Sequence, residues 1–295
     1  MKELLLMLER YAPKRLVPEV RHSENDVGRA MLAELDELAR QKTGDLVVII
    51  LGGRGAQALH RLLGERARTR SNNQDDNDLI SRLHVFTQDA LAPMRMGSSL
   101  SFVRDFERLL GDEFFRQVKS FTTVRTDSPD LENEVSAYIK KLDALGGSDI
   151  FFLGHGPEAG AASHLAYIKP GSGATAVDVA GLIPISSSIL EHHITKFKAG
   201  GTSVNADDEG ECRSATHIFT LGPAAILSSR RIVQSIVDAE TAPAKRASYR
   251  RVLETELSND LKTLESQLDE NPGLWVRLHP NVRSLVLPNV IESNN

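Results

Sequence analysis

Short apolar runs separated by helix-like stretches recur along this sequence, and that alternation constrains the fold more than any other feature. LVVIIL at 46–51 is apolar at every position, as a strand buried on both faces must be. Further runs follow at 83–90, 118–124, 150–153, 216–221, 231–237 and 282–287. Between them, 26–41, 56–68 and 131–145 carry the apolar stripe of amphipathic helices. The reading is an α/β fold, an open, mostly parallel sheet with helices on both faces, Rossmann-like and three-layered. The stretch around 98–115 reads as a helix capped by Ser98 or Ser99, and 244–268 as one long charged helix. The polar segments 71–78 and 200–211 read as a solvated connection and a mobile excursion. No composition break divides the chain, so 1–295 reads as one domain with an N-terminal amphipathic helical extension over 1–24.

Charge and cysteine content exclude several functions. With 35 Lys and Arg against 40 Asp and Glu, no overall positive field draws the chain to nucleic acid or anionic lipid. Cys212 is the only cysteine, which excludes an intramolecular disulfide and a thiolate-rich zinc site. No run approaches the roughly 18 apolar residues of a membrane span. A cytoplasmic protein is expected, with no nucleic-acid or membrane partner and no cofactor.

In an open parallel sheet, ligands sit beyond the carboxyl ends of the strands. Three loops meet that condition. After 46–51 come Gly52, Gly53, Arg54 and Gly55, where bare backbone can approach an anion and a guanidinium can bind it. Asp89 stands at a strand end, where a carboxylate serves either as base or as an ordinary turn former. The third loop, FLGHGPEAGAASHLAYIKPGSG at 152–173, sets His155, Glu158, His164 and Lys169 among glycines. Adjacent His192 and His193 diverge by about 100° on a helix and have no HExxH-type spacing, so no metal is assigned. By spacing alone Lys196 and Lys245 read as solvated lysines.

Taken together and in order, these loops resemble the sugar-phosphate family of glucosamine-6-phosphate deaminases and 6-phosphogluconolactonases, from about Asn25 to Pro288. LGGRGAQALHRLL is similar to the family's glycine-rich phosphate loop, FTQDAL to its acid-bearing segment, and HLAYIKPGS to the deaminase segment H-I-A-F-N-E-P-G-S. LGPAAILSSRRIVQSIV, KRASYRRVLE and RLHPNVRSLVLP resemble its late strand pair, lysine-bearing helix and closing L-x-x-H-P segment.

The resemblance implies a small-molecule sugar phosphate as partner and allows a homo-oligomer. It places Asp89 on the base that moves a proton between C1 and C2, His164 on the ring-opening histidine, and Lys196 and Lys245 on phosphate-contacting positions. It also implies departures. Arg54 and Gly55 replace a serine and a threonine, while Lys169 and Ala162 stand where acids serve the histidine, so the carboxylate–histidine relay is expected to be lost. Lys169 is expected to disfavour the imidazolium. Aligned with the lactonase segment G-M-G-P-D-G-H-T-A-S, Glu158 falls on its aspartate and Gly160 on its histidine. The implied function is ring opening and C1/C2 proton transfer on an (amino)hexose 6-phosphate, with lactone hydrolysis or a catalytically impaired binding module as alternatives.

Overall fold

The computed structural model describes residues 15–70, 79–166, 168–237 and 243–292. Its central sheet contains β1 (Pro18–Val20), β2 (Leu46–Ile50), β3 (Leu83–Thr87), β5 (Ser120–Thr122), β6 (Ile150–Leu153), β11 (Arg231–Ile236) and β12 (Val282–Val286). The order is β1-β12-β11-β6-β2-β3-β5, and every neighbouring pair is parallel. A smaller antiparallel sheet joins β4 (Asp89–Ala92), β10 (His217–Leu221) and β9 (Ala180–Pro184) in the order β4-β10-β9. A hairpin pairs β7 (Gly156–Pro157) with β8 (Ser163–His164).

Alternation within β2 shows how the layers arise. Val47 and Ile49 pack on one face with Val135, Tyr138 and Leu142 of α4 (Leu131–Ala144) and Tyr249 and Val252 of α8 (Pro243–Glu254). Leu46, Val48 and Ile50 point the other way, toward α1 (Glu24–Gln41), α2 (Gln57–Arg70) and α3 (Phe102–Gln117). All five β2 side chains are buried, and each contributes about 1.5–3 kcal/mol on leaving water. This is the expected three-layer α/β architecture. Among the described residues, no helix is long and apolar enough to cross a membrane.

Several elements differ from the sequence reading. The expected helical extension over 1–24 is not helical at 18–20, which adds β1 to the outer edge of β12; an edge strand tolerates Pro18 because its missing N–H faces away from the ladder. Residues 1–14 and the connection 71–78 lie outside the described residues. The run at 83–90 divides into β3 and β4, so Asp89 opens a strand of the second sheet rather than closing one of the first. Ser101 caps α3 by accepting from the Val103 N–H, in place of Ser98 or Ser99. The stretch 200–211 contains much of helix α6 (Ala206–Arg213), held by Asp208 accepting from the Ser99 N–H at 2.9 Å and by buried Cys212. The long helix expected over 244–268 is two, α8 and α9 (Leu261–Glu270). Arg277 donates to the carbonyls of Val252 and Thr255 at the end of α8, and Asp260 caps α9 through the Thr263 N–H. Two further helices, α5 (Ser187–Ala199) and α7 (Pro223–Ser228), complete the connections around β10.

Candidate active site

From β2 the chain winds one way across the sheet to β3 and β5, and from β6 the other way to β11 and β12. Loops leaving adjacent β2 and β6 therefore diverge, and the gap between them is a cleft. It holds about 670 Å³, its open mouth included. Gly52, Gly53, Arg54, Gly55, Asp89, His164, Lys196 and Lys245 all line it. Eight of the nine residues assigned from sequence to catalysis or phosphate binding thus face one space, and the ninth, Glu158, meets His164.

The glycine loop leaves β2 with Gly53 at φ +72°, a left-handed conformation that side chains resist. A single turn, Arg54–Ala56, leads into α2, and the Ser235 hydroxyl, at the end of β11, donates to the Gly55 carbonyl at 2.7 Å. The Arg54 guanidinium is ion-paired with Glu24 in the first turn of α1. Opposite it, Lys196 of α5 is 8% exposed and Lys245 of α8 is 7% exposed. The solvated reading of these lysines is corrected: strands distant in sequence bring both helices over the cleft. Burial, with the Arg54 charge second, pushes Lys245 down to about 7. Burial, followed by Lys245 and Arg54, does the same to Lys196, with Glu24 opposing. Three cations crowd one pocket, an arrangement that an anion would stabilise.

Asp89 is 3% exposed. Its burial raises the carboxyl to about 7, and a hydrogen bond from the Gln88 amide partly offsets the rise. A carboxylate poised there exchanges protons near neutrality. Behind it, the Tyr138 hydroxyl donates to the Thr87 carbonyl at 2.6 Å, tying the end of β3 to α4.

His164 reaches the cleft through the β7–β8 hairpin, where it pairs with Gly156. The Nδ1–H donates to Glu158 Oε1 at 2.8 Å. Because a carboxylate only accepts, the neutral ring carries its lone pair on Nε2. The loss of the carboxylate–histidine relay, expected from Lys169 and Ala162, is therefore corrected: Glu158, six positions earlier, supplies the acid. Lys169 donates instead to the Pro184 carbonyl at 2.8 Å. Buried Asn271 anchors the hairpin by accepting from the Ser163 N–H at 2.9 Å and the Ser163 hydroxyl at 2.5 Å.

Sequence reasoning passed over Gln88, Glu24 and the place of His192 on the cleft. The spacing of His192 and Lys196 was the available signal, since residues four apart share a helix face. Their neighbours His193 and Phe197 turn onto Phe102, with ring centroids 4.9 and 5.2 Å away. Among the described residues, no group of three or more His, Cys, Asp or Glu side chains could hold a metal ion.

No protein-family model matches this sequence, and no curated protein is significantly similar to it. Solved structures do share the fold. A monomeric glucosamine-6-phosphate deaminase is similar at 19% identity and a TM-score of 0.69, over 93% of this chain and 98% of that one. A 6-phosphogluconolactonase from Thermotoga maritima is 16% identical with a TM-score of 0.60, over 92% and 98%. Another from Leishmania guyanensis is 14% identical with a TM-score of 0.64, over 97% and 100%. The fold resemblance read from the loops is thus matched by whole-chain similarity in three dimensions.

Proposed function

We propose that the cleft binds a phosphorylated sugar and opens its ring before moving a proton between C1 and C2. The carrying observation is that a buried carboxylate near neutral pKa and a carboxylate-paired imidazole share a cleft with three cations. Arg54, Lys196 and Lys245 take the phosphate, and the backbone at Gly52, Gly53 and Gly55 permits its close approach.

In this mechanism, His164 Nε2 accepts the C1 hydroxyl proton and returns a proton to the ring oxygen, so the C1–O ring bond breaks and a carbonyl forms. Glu158 stabilises the imidazolium during the transfer. Asp89 then removes the C2 proton while O1 takes one up, giving an enediol or, with an amine at C2, an enolamine; return of the proton to C1 and loss of a proton from the C2 oxygen or nitrogen complete the exchange. With an amine at C2, the product is an imine, and water releases ammonia from it. Each positioned acid or base contributes about 10²–10⁴ in rate.

Lactone hydrolysis is the second reading, favoured by the same Glu158–His164 pair, which can activate a water although Gly160 carries no imidazole. It leaves the raised Asp89 without a task, so proton transfer ranks first. The binding-only alternative loses its main motive once Glu158 meets His164.

The deciding experiment incubates the protein with amino-sugar, hexose and gluconolactone 6-phosphates and follows ammonia, ketose and acid. Ammonia or ketose is expected, and Asp89→Asn abolishes solvent exchange at C2 while phosphate binding stays. Acid alone establishes the lactonase reading, and binding without turnover establishes the binding module.

A further inference from the structure

Four histidines line the cleft, and three are committed to protein partners. His155 Nε2–H donates to the Ser248 hydroxyl at 2.8 Å, which itself donates to the Lys245 carbonyl. His164 is held by Glu158, and His193 Nε2–H donates to the Leu100 carbonyl at 2.8 Å. His192 is different: it lines the same cleft, half-buried, with no hydrogen bond to either ring nitrogen among the described residues. It stands one helical turn before Lys196 on α5, on the cleft-facing row. Burial, then the charges of Lys245, Lys196 and His164, push its pKa down to about 3.

A neutral imidazole has one donor and one acceptor nitrogen, the complement of an alcohol and a poor partner for phosphate. Its neighbours fix which part of a ligand it meets, since Lys196 and Lys245 lie toward the anionic end and His164 toward the end that reacts. We propose that His192 is a specificity-determining residue that hydrogen-bonds a hydroxyl in the middle of the bound sugar phosphate, at C3 or C4. This rests on the sugar-phosphate reading above and adds to it the group that distinguishes one sugar from another.

The test uses calorimetric titration of the full chain, as wild type, His192→Ala and His192→Gln. The ligands are inorganic phosphate, 1,5-anhydroglucitol 6-phosphate, which cannot ring-open, and its 3-deoxy and 4-deoxy analogues. Removing one of the two hydroxyls is expected to weaken wild-type binding about fivefold to tenfold, the scale of one net hydrogen bond. His192→Ala becomes insensitive to that deletion, His192→Gln recovers part of the sensitivity, and all three bind inorganic phosphate within about twofold of one another. The proposal is overturned if wild type ignores both deletions, if His192→Ala keeps the wild-type sensitivity, or if inorganic phosphate weakens as much as the sugar phosphate. Should wild type bind the anhydroglucitol phosphate no better than inorganic phosphate, the hexose-phosphate reading fails and takes this inference with it.

Discussion

Glu158 Oε1 accepts a hydrogen bond from His164 Nδ1 at 2.8 Å across a hairpin whose turn runs through Ala159–Ala161. Gly160 and Ala161 both have positive φ there, 65° and 58°, and the Glu158 N–H closes the turn on the Ala162 carbonyl at 2.8 Å. The backbone reversal brings the two side chains to the same side. The contact sets the imidazole's tautomer, with the proton on Nδ1 and the lone pair on Nε2.

Replacing the acid tests that arrangement. Glu158→Gln keeps the size and an accepting oxygen but removes the charge that stabilises an imidazolium. We expect kcat to fall about 10- to 100-fold, within the range of a general acid–base contribution, with KM within a factor of about three. Steady-state kinetics decide it, and an unchanged kcat removes Glu158 from the mechanism.

The pH dependence has two limbs. In the proposed mechanism Asp89 must be ionised to act as a base, so activity is expected to rise as pH increases through about 7. In the same mechanism Lys196 and Lys245 must be protonated to hold phosphate, and with no anion bound they lose protons through about 7. The expected kcat/KM profile is a narrow bell near neutrality. A bound phosphate raises the pKa of both lysines, so the descending limb of kcat lies at higher pH. Coincident limbs in the two profiles would contradict this coupling.

Charge removal separates affinity from stability. Arg54→Ala should weaken phosphorylated ligands about 10- to 100-fold over unphosphorylated ones, since a charge-assisted hydrogen bond is worth about 1.5–3 kcal/mol. Lys245→Met should also weaken them, yet stabilise the ligand-free protein. Its folded pKa, about 7, lies below the ordinary 10.5, so the buried charge destabilises the fold fully below pH 7 and progressively less between 7 and 10.5. The gain in Tm should therefore be largest at pH 6 and fade toward pH 10, measurable by thermal melts in phosphate-free buffer.

Gly156 makes room for the imidazole. A Cβ built there would lie 1.7 Å from His164 Nε2, so Gly156→Ala must displace the ring or the hairpin. Overpacking of this kind costs about 1–3 kcal/mol. Activity is expected to fall by at least about tenfold while inorganic phosphate still binds, and equal loss of both would mean that the whole cleft has been disturbed.

The order of elements and the location of the cleft were legible in the sequence because they depend on local patterns. The fully apolar LVVII could only be a strand buried on both faces, and glycines after such strands mark where a parallel sheet leaves space. Asp89, His164 and the Gly52–Gly55 loop followed from that logic and from the order of their segments. What required the tertiary structure were contacts made through space. Glu158, and no acid at 162 or 169, meets His164 because a turn folds it back, a relationship that residue spacing does not encode. The break between α8 and α9 depends on Arg277, more than twenty residues beyond the carbonyls it caps. Burial of Lys196 and Lys245 arises where separate helices converge over strand ends, and burial, not residue type, turns two ordinary lysines and an ordinary aspartate into groups that titrate near neutral pH. Periodicity records which face of an element meets the core; the chemistry of the cleft comes from which elements then meet each other.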